Sequence, residues 1–131
     1  MIEVINLTTN LIDKAFLKKV GQRVLKGEKQ TKKSLSIILI RQDRIKKLNK
    51  KYRGENKATD VLSFDYIETG ELLICLQKIK ENAKIYQTSF KKELTRILIH
   101  GILHLLGYDH EKSAIKAEKM RKKEEYYYGK N

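Results

Sequence analysis

Residues 60–76 read DVLSFDYIETGELLICL, and this stretch decides the fold. Val61, Leu62 and Phe64 begin a β-prone run, residues 72–76 form a second and almost wholly apolar one, and Glu68-Thr69-Gly70 between them has the composition of a turn. Two such runs across a short break predict a hairpin, with strands over 60–66 and 72–76. Upstream, residues 2–6 are β-branched and alternating, and 35–40 is a nearly continuous apolar run, as in a strand covered on both faces. Each of these is followed by helical periodicity. Ile12, Phe16, Val20 and Val24 recur at i+4 in a helix that Asn10 is positioned to cap and Gly27 to close. Ile45 and Leu48 mark a shorter helix over 42–51, and a polar, Gly-containing loop over 52–59 leads into the hairpin. Downstream, helices are predicted over 77–87, 90–106 and 111–126. Strand–helix alternation, then one hairpin, then helices, predicts an α+β fold: a small four-stranded mixed sheet, mostly parallel with one antiparallel strand, packed with about five helices.

At 131 residues, with no internal repeat, low-complexity tract or linker, the chain is expected to form a single domain over 1–131 and to act as a monomer. No apolar run approaches the ~20 residues of a membrane span. The N-terminus lacks the basic start of a signal peptide, so a cytoplasmic protein with no membrane association is expected. The lone Cys75 excludes an intramolecular disulfide and reads as a small core residue. Twenty-nine Lys and Arg against 16 Asp and Glu give a net charge of +13, an excess that attracts polyanions, of which nucleic acid is the commonest.

All three histidines fall in one segment, HGILHLLGYDH, as His100, His104 and His110. The first two are i and i+4, so a helix projects both imidazoles from one face. Gly107 stands where a helix can stop in a left-handed conformation, letting the chain reverse and bring His110 back toward the others. Three imidazoles leave a tetrahedral zinc one open position, the arrangement of a catalytic rather than a structural site. The spacing also matches the metzincin peptidase pattern, but the glutamate that serves those enzymes as base is replaced by Gly101. That argues against proteolysis, and a residue this small is expected to open space beside the metal.

These residues resemble the bacterial YbeY family of metal-dependent endoribonucleases. Residues 100–110 match its H-G-x-L-H-L-x-G-Y-D-H signature at every fixed position. Tyr52-Arg53-Gly54 with 59–64, the strand Gly70 to Cys75, and Met120-Arg121 with Glu124-Glu125 resemble further family landmarks. Ala58 and Leu76 stand where the family usually has Pro, and Glu71 where it has Asp; the chain has no proline at all. The resemblance implies one Zn2+ (or another divalent transition metal) held by His100, His104 and His110. It further implies cleavage of single-stranded RNA, with ribosomal RNA and the ribosome as partners, in maturation of the small-subunit RNA 3′ end and in ribosome quality control. It gives Arg53 the role of a catalytic phosphate-binding group, whose planar fork fits two phosphate oxygens. Without it, Arg53 reads as a surface ion pair with Glu55 or Asp60.

Asp109 is a candidate to orient a ligand from behind. Lys46, Lys47, Lys50, Lys51, Arg53 and Lys57 read either as a solvated helix face or as an RNA track. Tyr126-Tyr127-Tyr128 read either as base-stacking groups or as a helix end packing one ring inward. Two other functions fit the same histidines: a zinc hydrolase of peptides or small esters, and an RNA- or ribosome-binding module with a structural metal.

Overall fold

The computed structural model describes residues 1–129. In chain order its elements are β1 (Ile2–Asn6), α1 (Lys14–Gly27), β2 (Ser34–Ile40), α2 (Gln42–Arg53), β3 (Val61–Asp65), β4 (Thr69–Cys75), α3 (Leu76–Ile85), α4 (Phe90–Leu105) and α5 (Ala114–Tyr128). The sheet order is β1-β2-β4-β3, with β1 and β4 parallel to β2 and β3 antiparallel to β4. The α+β fold with a four-stranded mixed sheet and five helices is therefore the one the hairpin predicts. No helix among the described residues is long and apolar enough to cross a membrane.

Alternation along the strands sorts the core. Ile2, Val4, Leu35, Ile37, Leu39, Leu72 and Ile74 meet α1, α4 and α5 on one face of the sheet. Ile40, Leu62, Leu73 and Cys75 form a smaller cluster on the opposite face with Ile45 of α2. Helix α4 is central: Leu94, Leu98, Ile99, Ile102 and Leu103 are all buried, and the Ser89 hydroxyl caps it by accepting from the Lys92 N–H at 3.1 Å. Gly101 does not make room beside a metal, as its size suggests in sequence. It faces the sheet, where a Cβ would lie 2.9 Å from Leu72 Cδ2 and 3.3 Å from Val61 Cγ2. Its small size sets how closely α4 approaches β3 and β4.

Four local boundaries differ from the sequence expectation. Helix α1 is capped by Asp13, whose carboxylate accepts from the Phe16 N–H at 3.0 Å, and not by Asn10. Asn10 is already engaged in a turn, its carbonyl accepting from Asn6 Nδ2 at 2.7 Å and its N–H donating to the Thr8 hydroxyl at 3.2 Å. The hairpin turn lies at Tyr66-Ile67-Glu68, because Thr69 and Gly70 pair within β4. Ile67 adopts φ 72, a costly conformation for a β-branched residue. It is held by Asp65 Oδ1, which accepts its N–H at 3.0 Å, and by Lys33 Nζ, which donates to its carbonyl at 2.7 Å. Finally, α5 begins at Ala114, behind a Ser113 cap, and α2 runs on through Tyr52 to Arg53 before Gly54 ends it with φ 71.

A buried carboxylate ties the two ends of the chain together. Glu28, at the C-terminus of α1 and with its side chain 9% exposed, accepts hydrogen bonds from the hydroxyls of Tyr108 (2.5 Å) and Tyr127, and Lys123 Nζ lies 3.1 Å away. Tyr127 packs where a Cβ on Gly27 would meet its ring Cε1 at 2.6 Å. Of the two readings of the tyrosine run, the structure has the one in which a single ring, Tyr127, packs inward. Burial by itself raises the Glu28 carboxyl, but the two hydroxyls and the Lys123 ammonium outweigh it and hold the group below its ordinary 4.5. A depressed folded-state value stabilises the protein above the ordinary carboxylate range, and that contribution disappears as pH falls through the folded value. Glu28→Gln, which keeps the shape but loses the charge assistance, is expected to cost about 2 kcal/mol at pH 7. Denaturant unfolding should show the gap between the two proteins closing as the pH drops below about 4; a gap independent of pH would contradict this assignment.

Candidate metal centre

The site grows out of the end of α4. His100 and His104 stand one turn apart on that helix, which stops in a Schellman turn: the Tyr108 N–H donates to the Leu103 carbonyl and the Gly107 N–H to the His104 carbonyl, both at 3.1 Å. Gly107 takes φ 97, a conformation that residues with a Cβ rarely adopt. The reversed chain then carries His110 back, its ring centre 5.2 Å from that of His100 and 6.4 Å from that of His104.

Two imidazoles are already oriented. His100 Nδ1 lies 2.8 Å from the Glu124 carboxylate on α5, and His104 Nδ1 lies 3.2 Å from the Tyr108 carbonyl. Both partners can only accept, so each Nδ1 is the donor, and in the neutral imidazole it is the Nε2 lone pair that stays available to a metal. A carboxylate or carbonyl behind the ring is the usual support of a metal-ligating histidine. Tetrahedral coordination by three imidazoles at Zn–N of about 2.0–2.1 Å places ring centres ~5 Å apart. The His100–His110 pair has that spacing, whereas the His104–His110 pair is wider by about an ångström. No group of three or more His, Cys, Asp or Glu side chains among the described residues is already closed into ligand geometry. The donor set and its supports fit a metal, and His110, on a loop rather than on the helix, is the residue that must shift.

The three histidines open into a cleft of about 450 Å³. Its far wall is the segment Thr59 to Phe64, which includes edge strand β3, and its mouth carries Tyr52, Arg53 and Glu111. Sequence reasoning placed Arg53 in a loop; it is the last residue of α2, exposed, and makes no hydrogen bond or ion pair among the described residues. The surface pairing with Glu55 or Asp60 is not formed; the Asp60 carboxylate instead accepts from Asn82 Nδ2 at 3.2 Å.

Asp109 does not support a ligand. It accepts the Glu111 N–H at 2.7 Å, and this bond, with a smaller contribution from Lys112, holds its carboxyl below the usual range. The supporting groups are Glu124 and the Tyr108 carbonyl, which sequence reasoning left unassigned. Glu124 was visible only as part of the Met120-Arg121 to Glu125 resemblance. Cys75 is fully buried in the smaller core cluster and does not line the cleft.

Residues 3–130 match the family model described as endoribonuclease YbeY. Among curated relatives, the endoribonuclease YbeY of Thermodesulfovibrio yellowstonii is 50% identical over 99 residues, covering 70% of this chain and 62% of the relative. That of Thermotoga neapolitana is 47% identical over 94 residues, covering 70% and 63%. In both, the match spans less than two thirds of the relative's length. The Thermosipho melanesiensis protein of the same name is 36% identical over 128 residues, 95% of this chain and 92% of the relative. The solution structure of a Thermotoga maritima protein superposes with a TM-score of 0.74 at 34% identity, covering 98% of this chain and 87% of that one. With its sequence matched almost end to end and its fold shared, this chain belongs to the endoribonuclease YbeY family.

Proposed function

We propose that the chain is a zinc-dependent endoribonuclease that cuts single-stranded RNA, working on the ribosome in maturation of the small-subunit RNA 3′ end and in quality control. The observation that carries the reading is the histidine cluster itself: two imidazoles with Nε2 left free by their Nδ1 partners, a third beside them, and an unpaired arginine at the mouth of the same cleft. His100, His104 and His110 would hold the single ion, and the three-imidazole cradle also suits other divalent transition metals. Bound there, it would supply Lewis acidity toward a phosphoryl oxygen. Arg53 would bind two phosphate oxygens and hold the scissile phosphate against the cleft as charge builds on it. Glu124 and the Tyr108 carbonyl keep the protons of His100 and His104 on Nδ1. The +13 charge favours a polyanionic strand, and the missing glutamate at 101 weighs against a peptide. The reading includes one domain over residues 1–131 that acts as a monomer in the cytoplasm.

The test is cleavage of an end-labelled single-stranded RNA and of the same RNA annealed to its complement. The single strand should be cut and the duplex spared; chelation should stop cleavage, and one equivalent of zinc should restore it. Cleavage indifferent to chelation, or a metal-loaded protein that hydrolyses a peptide and leaves RNA intact, would overturn the proposal.

A further inference from the structure

The sheet face opposite α1 and α4 is only partly covered by α2, and the exposed remainder is a groove of about 270 Å³. Ile38, Leu73 and Phe64 supply an apolar floor, and Tyr52 and Tyr66, each 56% exposed, stand along it. Tyr52 packs edge-on against Phe64 with ring centres 5.2 Å apart, and Lys51 Nζ lies 5.1 Å from the Tyr52 ring centre. Tyr52 and Phe64 also line the histidine cleft, so the two depressions meet across the edge strand β3. Two charged groups border the groove, Arg44 and Glu71, and the nearby Glu71 carboxylate holds the Tyr66 phenol above its ordinary range. Helix α2, which forms one bank, carries Arg44, Lys46, Lys47, Lys50, Lys51 and Arg53 against the single acid Asp43.

These charges select an occupant. The basic helix draws a polyanion, while Glu71 repels phosphate from the groove itself and accepts hydrogen bonds from N–H groups. The aromatic and apolar surfaces favour a flat, uncharged ring. A nucleobase meets all three conditions: it is planar, neutral and edged with N–H donors, and it hangs from an anionic backbone. We propose that the groove holds one unpaired base of the strand whose backbone enters the histidine cleft, stacked on Tyr66 and Tyr52 with its N–H edge toward Glu71. The proposal rests on the endoribonuclease reading for the identity of the strand. It also gives the basic run of α2 its purpose as a track and explains a preference for single strands, since a paired base cannot enter.

Binding of a labelled single-stranded RNA is measured by fluorescence anisotropy in EDTA, where no strand is cut, so the result does not depend on cleavage. Each position of the RNA is made abasic in turn, and wild type is compared with Tyr66→Leu and Tyr66→Phe. A base stacks on an aromatic ring whatever its identity, so Tyr66→Leu should weaken binding of the intact strand by roughly tenfold, while Tyr66→Phe keeps the ring and stays within about twofold. At one position the abasic strand should cost wild type the same factor and cost Tyr66→Leu nothing. Tyr66 lies in an exposed turn, so neither variant threatens the core. If wild type and Tyr66→Leu lose equally at every position, or wild type binds no single strand, the groove holds no base. Cleavage that persists despite that result would leave the endoribonuclease reading standing.

Discussion

Alanine at position 104 is expected to leave a folded protein that holds no zinc through purification and cuts no RNA. His104 is exposed at the last turn of α4, so its ring adds little to the core and the melting temperature of the metal-free protein should barely move. What is lost is one of three nitrogen ligands. Removing a hydrogen-bond partner behind a ligand typically costs 10–100-fold in metal affinity, and removing the ligand itself should cost more. The graded comparison is Glu124→Gln. Its amide can still receive the Nδ1–H of His100 but carries no charge, so affinity should drop by roughly 10-fold, at the lower edge of that range. Elemental analysis of each preparation, a chelator competition and the RNA cleavage assay read the three proteins together. Full zinc content in His104→Ala would remove this histidine from the centre.

Much of this site is written locally, and the part that is not explains what was missed. The i, i+4 pair, the glycine that permits a Schellman turn and the returning histidine lie within residues 100–110, where chain geometry alone links sequence to placement. Glu124 is 24 residues away and reaches His100 only because α5 packs against α4, with Met120 buried in the common core, a tertiary arrangement that no local pattern encodes. Glu28 is further still, 80 residues from Tyr108 and 99 from Tyr127. Asp109 misled because adjacency to His110 looks like support, yet a short carboxylate in a turn bonds the N–H two residues ahead more readily than it reaches a ring. Gly101 misled for a related reason. Its neighbours in sequence are ligands, but its own face of the helix points at Leu72 and Val61.

The hairpin carries the fold because its two apolar runs pair with each other and the second also pairs with the buried β2. β4 lies between β2 and β3, and burial of both its faces is what makes residues 72–76 almost wholly apolar. The turn lies two residues before the position its composition predicts because its left-handed residue is Ile67 and not a glycine, a conformation that depends on Lys33 from another part of the chain. The same topology makes β3 an edge strand, and that edge is what lets the histidine cleft and the aromatic groove adjoin.

Arg53→Ala is expected to cut the RNA cleavage rate by about 10²–10³-fold, the cost of removing one preorganised donor from a developing charge, with zinc content and melting temperature unchanged. Its position supports that separation. Arg53 ends α2, where a cation complements the helix dipole by only a few tenths of a kcal/mol at an exposed site, and among the described residues its guanidinium has no ion pair to lose. Glu55 and Asp60 are near in sequence, yet neither pairs with it; an arginine left unpaired at the rim of a cleft keeps its fork available for phosphate. Arg53→Lys distinguishes charge from geometry. A lysine restores the positive charge as a single point and cannot offer two parallel N–H donors, so it should recover only a small part of the rate. Single-turnover cleavage against RNA concentration gives the decisive split: a contact made in the transition state lowers the maximal rate, whereas one that only gathers substrate raises the half-saturating concentration and leaves the maximal rate alone. The second pattern would make Arg53 part of the RNA track along α2 and leave the histidine centre to do the chemistry without it.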